Sequence, residues 1–162
     1  MRMRQPISPD DGTFMREALA EASLGGSQQE VPVGAIIVLD GKIIGHGHNL
    51  PITNKDPTAH AEILAIREAA QAVGAYRLPD AILYVTLEPC VMCVGAAIHA
   101  RLAAIRYGAR DEKAGALGSV YDIGRDGRLN HRIEVVGGII EEECALLLRA
   151  FFKKRRARPV GD

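Results

Sequence analysis

The sequence predicts an α/β fold: three layers, α/β/α, with a mixed five-stranded sheet between the helices. Three observations carry that expectation. A hairpin signature, two strand-like runs joined by Asp40–Gly41, follows the first helical stretch. From there helical and strand-like segments alternate to the end of the chain, the order that places helices on both faces of a sheet. Hydrophobic residues at 48% and charged residues at 25% of 162 supply one packed core. No repeat, low-complexity tract or linker divides the chain, so residues 1–162 read as a single domain.

Residues 10–24 form the first predicted helix, with Asp10 or Asp11 as cap and Phe14, Met15, Ala18, Leu19 and Ala22 recurring on one face. GGSQQEVP, 25–32, ends it. VGAIIVL, 33–39, is a buried strand, and KIIGHGH, 42–48, returns as its hairpin partner. NLPITNKD, 49–56, reads as a loop. The second helix spans 58–73, capped by Asp56 or Thr58. An Asp56 cap puts Pro57 at the first helical position, where its missing N–H costs nothing. AILYVTL, 81–87, is the third strand. EPCVMCVGAAIHA, 88–100, opens another helix behind a proline, and LAAIRYG, 102–108, is the fourth strand. Residues 108–131 are glycine-rich and irregular, with at most a turn of helix. RIEVVGG, 132–138, supplies a short fifth strand. EEECALLLRAFFKKRRAR, 141–158, closes the chain as a helix whose acidic start and basic end complement the helix dipole.

Lys plus Arg and Asp plus Glu number 20 each, so the net charge is zero and no global field recruits a polyanion. Nucleic acid has to be met by a local patch. The dense positive cluster is Lys153, Lys154, Arg155, Arg156 and Arg158, within the last helix end at about 150–158. A solvated helix terminus would carry the same charges. The start, MRMRQPISPDD, lacks the apolar stretch of a secretory signal, and VGAIIVL is far too short to cross a bilayer. The chain is therefore expected to be soluble and cytoplasmic, with no membrane partner. Three cysteines, two of them in Cys-x-x-Cys, make no disulfide scaffold; in a reducing compartment they indicate metal or redox chemistry.

Cys90 and Cys93 are three apart at the start of a helix and share one face. A helix N-terminus lowers a thiol's pKa. Two thiolates and a neutral imidazole match the S and N ligands zinc takes, and their charge balances the ion's. His60 can supply the imidazole if the two helix starts abut. Glu62 is then free to face the fourth position, which three protein ligands leave open to water, as in a catalytic site. Cys-x-x-Cys by itself also fits a redox pair or half of a four-cysteine knuckle. The knuckle lacks its other half, since only Cys144 remains, and the redox reading leaves His60 and Glu62 idle. HAE at 60–62 with PCVMC at 89–93 matches H-x-E…P-C-x-x-C, the signature of zinc nucleobase deaminases. In that chemistry zinc-activated water attacks a ring carbon bearing an amino group, and Glu62 shuttles protons to release ammonia.

DPTAHAEILAIREA at 56–69, LYVTLEPCVMCVGAAIHAR at 83–101, YGARDEKAGALGS at 107–119, NHRIEV at 130–135 and FFKKRR at 151–156 resemble the bacterial tRNA-specific adenosine deaminases. The resemblance runs from about residue 12 to 156. It implies the cytidine deaminase-like α/β/α fold, a homodimer, one zinc per chain, and conversion of adenosine to inosine at the first, wobble position of a tRNA anticodon. By matching position it implies His60, Cys90 and Cys93 as zinc ligands, Glu62 as proton shuttle, and Asn49 as a hydrogen-bonding partner of the flipped base. With the charge pattern it makes Asp111, Lys113, Asn130, Arg155 and Arg156 candidate contacts to the anticodon stem-loop. Two other readings keep the same motif: a free-base or nucleotide deaminase acting on guanine or cytosine, and a non-catalytic zinc-stabilised RNA-binding module in which Glu62 is dispensable.

The remaining conspicuous residues have plainer readings. Asn49 also suits a turn before Leu50–Pro51, and Asp111, Lys113 and Asn130 suit an ordinary polar loop. Phe151 and Phe152 read as core anchors of the last helix, Cys144 as a buried core thiol, Glu88 as a structural cap, and His99 as a dipole contact. His46 and His48 share a strand face but are not needed as ligands.

Overall fold

The computed structural model describes residues 9–158; the arginine-bearing start at 1–8, read above for targeting signals, lies outside them. Asp40 and Gly41 take φ of 51° and 75°, the paired positive values of a two-residue hairpin turn whose twist matches its strands. They join β1 (Gly34–Leu39) to β2 (Lys42–His48) in antiparallel register, with a bulge at Ile37/Val38. β1 also pairs antiparallel with β3 (Ile82–Leu87). β3 pairs parallel with β4 (Ala104–Ala109), and β4 parallel with β5 (Glu134–Val136). The sheet is mixed, five-stranded, and ordered β2-β1-β3-β4-β5.

β1 is apolar without alternation because both its faces are covered. Ala35 and Ile37 join Leu83 and Val85 of β3 and Ile105 of β4 in a core under α3 (Ala61–Val73) and α4 (Val91–His99). Ile36 and Val38 point the other way. They pack with Met15 and Ala18 of α1 (Pro9–Ser27) and with Cys144 of α5 (Glu141–Ala157). Each such aliphatic side chain, fully enclosed, contributes about 1.5–3 kcal/mol. The three-layer expectation is met, with α1 and α5 on one face and α3 and α4 on the other. A buried polar set ties α1 to the sheet: Tyr84 donates to Asp11 Oδ1 at 2.6 Å, and Arg106 Nε lies 3.7 Å from the same oxygen.

α3 lies unusually close to the hairpin. Its inward positions Ala61, Ala65 and Ala69 are all fully buried alanines spaced by four. Opposite them stand Gly45 and Gly47 of β2. A Cβ at Gly47 would run into the carbonyl of Ala61, and one at Gly45 would lie 2.9 Å from Ala69 N. Small residues on both sides let the backbones nearly touch, and this fixes where α3 begins.

Several boundaries differ from the sequence reading. α1 runs through Gly25 and Gly26 to Ser27. The expected loop at 49–56 contains a short helix, α2 (Pro51–Asn54), with Pro51 in its first turn. α3 starts at Ala61, not 58. Asp56 does cap, but it caps a local turn: its Oδ1 accepts from Thr58 N–H and Thr58 Oγ1, at 2.8 and 2.7 Å. Pro57 therefore lies in a turn before the helix. No helix among the described residues is long and apolar enough to cross a membrane.

Candidate active site

β1 runs against β3, so the start of β1, the end of β2 and the end of β3 meet at one edge of the sheet. Gly34 N–H donates to the buried Thr86 Oγ1 at 3.1 Å and ties two of these ends together. Two helices start at the same edge. His60 is the N-cap of α3, with φ −76° and ψ 151°, and Cys90 is the N-cap of α4, with φ −78° and ψ 176°. Both are extended residues whose carbonyls accept the first helical bonds, from Leu64 N–H at 3.1 Å and Val94 N–H at 3.0 Å.

This placement explains how His60 and Glu62, two apart, serve one point. Only Glu62 is on the helix; His60 precedes it, and its side chain is free of the helical spacing that would set the two on opposite sides. His60 Nδ1 lies 3.6 Å from Cys90 Sγ and 3.5 Å from Cys93 Sγ. All three donor atoms fall within 4.8 Å of one another, and they are the group among the described residues that could hold a metal ion. Donors on a tetrahedron around zinc, at its usual bond lengths, stand about 3.3–3.8 Å apart. The spacing and the two-sulfur, one-nitrogen composition both fit that ion.

The electrostatics are those of a tight cluster. The Cys90 thiol is pulled down to about 4, first by the hydrogen bond from Cys93 and then by His60. The Cys93 thiol is pushed up by its hydrogen bond with Cys90 and by burial. The His60 imidazole is raised by Cys90 and, less, by the Glu62 charge. Glu62 is buried, at 4% exposure. Burial pushes its carboxyl above the ordinary range, against a hydrogen bond with Cys93. A buried carboxyl whose affinity for a proton is raised, beside a metal-ligand cluster, is suited to acid–base work.

The other candidate residues divide. Asn49 stands at the same edge: its Oδ1 accepts from Ala61 N–H at 2.8 Å, the first amide of α3, and its amide nitrogen carries two further donors. Asp111 Oδ1 accepts from Lys113 N–H and Ala114 N–H, at 3.0 and 3.2 Å, in a turn that leaves the Lys113 side chain exposed. Asn130 is elsewhere. It accepts from Arg101 Nη1 at 3.1 Å, past the far end of α4 from the cysteines. Arg155 and Arg156 project from different sides of α5. Arg155 lies over the Phe151 ring and lines a hollow with Lys154, Arg158, Gln28 and Ile52, whereas Arg156 lines another with Lys153, Phe152 and Lys113.

The plainer readings hold for several residues. His46 and His48 sit 3.3 Å from Glu68 and 2.9 Å from Glu21, and Cys144 is buried. Phe152, 39% exposed, is not a core anchor; its helix ends on the surface and leaves half the ring bare. Glu30 escaped the sequence reading. Fully buried, it accepts from Ile52 N–H at 3.2 Å, Thr53 N–H at 2.8 Å and Thr53 Oγ1 at 2.7 Å, and so holds the segment that follows Asn49. The signal was a lone carboxylate directly ahead of a buried strand. Glu88 proves to be more than a cap, as described below.

The model of the MafB19-like deaminases matches residues 9–156. The tRNA-specific adenosine deaminase of Bacillus subtilis (strain 168) is 45% identical over 148 residues, 91% of this chain and 92% of that protein. The one from Haemophilus influenzae is 48% identical over 147 residues, 90% and 85% of the two chains. A structure solved in work on A-to-I editing at the wobble position of transfer RNA superposes with a TM-score of 0.81 at 46% identity, over 84% of this chain and 99% of that one. The guanine deaminase of Nitrosomonas europaea shares the fold more distantly, with a TM-score of 0.74 at 25% identity over 91% and 86%. A match over nearly the full described length, and relatives near half identical across most of both chains, mean that this chain belongs to the MafB19-like deaminase family, in its branch of tRNA-specific adenosine deaminases.

Proposed function

We propose that this chain is a zinc-dependent hydrolase that converts adenosine to inosine at the wobble position of a tRNA anticodon, releasing ammonia. The observation that carries the chemistry is the convergence of His60, Cys90 and Cys93 beside the buried carboxyl of Glu62. His60, Cys90 and Cys93 hold the ion, one per chain. When bound, zinc supplies the Lewis acidity that makes water a nucleophile near neutral pH. Glu62 would take one proton from the attacking water and pass it to the ring nitrogen, then take the second from the new hydroxyl and pass it to the leaving amine, ending in its starting state. Its burial keeps bulk water from competing for those protons.

Asn49, held by the first amide of α3, orients the base with its free amide donors. The target base has to leave its stack to reach such a site, and a loop nucleotide does so at least cost. Lys113, Arg155 and Arg156 meet the phosphates around it, and Asp111 is placed to contact a sugar. Asn130, paired with Arg101 past the far end of α4, is proposed to meet the stem-loop away from the flipped base. We further propose that the protein works in the cytoplasm as a homodimer.

The test is a reaction with an anticodon stem-loop carrying adenosine at the first position, read as inosine by mass spectrometry, alongside ammonia release from guanine and cytosine. Inosine in the RNA with no release from the free bases is expected. Release from a free base with an unchanged RNA overturns the assignment in favour of a free-base deaminase.

A further inference from the structure

The connection from β4 to β5 is wound around one side chain. Glu88 follows β3 and precedes the Pro89–Cys90 start of α4; it is 2% exposed. Its Oε1 accepts from Asp111 N–H at 3.2 Å and from Ser119 Oγ in a short hydrogen bond. Its Oε2 accepts from Leu117 N–H at 3.0 Å and Ser119 N–H at 3.1 Å. Four donors on one carboxylate saturate an acceptor-only group, and three of them are backbone amides of a single loop. The loop is built to admit it: a Cβ at Gly115 would collide with the Glu88 carboxylate. The same loop is tied to the neighbouring residue, with Ala116 N–H donating to Pro89 O at 2.8 Å.

The outer side of this loop faces α5. Lys113 of this loop lines a groove together with Leu148, Phe152, Lys153 and Arg156 of α5. Arg149, which also lines it, is paired with Glu142 at 2.6 Å. Lys113, Leu148 and Phe152 also line a second groove, where Asp111, Glu112 and Glu141 make the surface acidic, so the cationic stretch is the one along Lys153 and Arg156. A groove that brings Lys113 of the loop together with Lys153 and Arg156 of α5 and the partly exposed Phe152 suits a single RNA strand. Its width depends on where the 111–119 loop is held.

We infer that Glu88 is a positioning residue for RNA recognition: it anchors the 111–119 loop so that Lys113 joins Lys153 and Arg156 in lining a groove for the substrate's backbone. This rests on the RNA substrate proposed above. Glu88 is thereby shared between two tasks. Its backbone leads directly into the cysteine pair, and its carboxylate fixes the wall that RNA meets, so loop and metal cluster are held in one register.

The test uses Glu88→Gln and the milder Ser119→Ala in the full chain. In Glu88→Gln an amide group faces N–H donors where an oxygen accepted them. KM for the stem-loop should rise about tenfold or more, the scale of one lost charge-assisted hydrogen bond, with kcat within about twofold and zinc per chain unchanged. Ser119→Ala should shift KM in the same direction by about threefold. Amide hydrogen exchange should quicken in 111–119 and not in α3 or α4. Wild-type KM together with wild-type exchange in both variants overturns the inference. So does loss of zinc with a matching fall in kcat, which would assign Glu88 to the metal site. A wild-type chain that forms no inosine defeats the proposed function instead, and leaves the exchange measurement as the separate judge of the anchor.

Discussion

His60 Nδ1 lies 3.5 Å from Cys93 Sγ, although 33 positions separate the two residues in the chain. They meet because the first residue ahead of α3 and the first turn of α4 open onto the same sheet edge. The donor spacing there follows from the positions of two helix starts.

Cys93→Ser replaces a thiolate by a weak, hard donor at the buried corner of the cluster. Zinc bound to the purified protein should fall from about one per chain to below about a tenth after gel filtration. Elemental analysis measures this directly. Full retention of zinc in the variant would remove Cys93 from the ligand set.

Glu62→Gln keeps the shape of the side chain but removes its ability to accept and return a proton. Zinc content should be unchanged, while kcat on the stem-loop drops by about a hundredfold to ten-thousandfold. A variant that makes inosine at the wild-type rate would favour the non-catalytic RNA-binding reading.

Gly47→Ala forces a methyl group against the Ala61 carbonyl, and the shift has to be absorbed by the start of α3. Stability should fall by about 2–3 kcal/mol in urea titration. Because His60 and Glu62 sit on that start, zinc affinity should weaken as well. Gly41→Ala, in the exposed hairpin turn with open space around it, should leave the metal alone.

Glu30 supplies the pH test. Burial pushes its carboxyl up, but hydrogen bonds from Thr53 and Ile52 outweigh this and hold it below its ordinary 4.5. A carboxyl lowered on folding adds stability above its unfolded pKa, and that stability is lost as pH falls through the folded value. Wild type should therefore exceed Glu30→Gln in stability at pH 7, and the gap should close below about pH 4.5. Denaturant titrations of both proteins at pH 7, 5 and 3.5 follow the difference. A gap independent of pH would mean that the charge on Glu30 contributes nothing.

Much of this fold is legible in the sequence because its signals are local. Asp40–Gly41 specifies a turn whatever surrounds it, and the apolar run of β1 declares a strand covered on both faces. The cluster of His60, Cys90 and Cys93 was legible as a pattern, HAE with PCVMC, whose chemistry needs few assumptions about distance. What the sequence hides is set by contacts between distant segments. Asp56 and Pro57 carry genuine helix-start signals, yet the Thr58 turn consumes them, and α3 begins where Gly45 and Gly47 let it dock. The sheet order was equally hidden, since the hairpin fixes one pairing and leaves β3, β4 and β5 to tertiary packing. Arg155 and Arg156 are adjacent in sequence and look like one patch; about 100° of helical turn sends them to different hollows. Glu30 looks like a surface charge and Glu88 like a simple cap until the amides they bind are in place.

That two of the three donors are cap residues has a consequence for how the ion and the polypeptide depend on each other. Helix ends fray first, so each fraying event at α3 or α4 dismantles the coordination sphere, and a tightly held cation in turn suppresses the fraying. With the proposed ion bound, occupancy and order at this edge would rise and fall as one equilibrium. Chelator-driven release, followed in time, thus becomes a clock for local opening of the sheet edge.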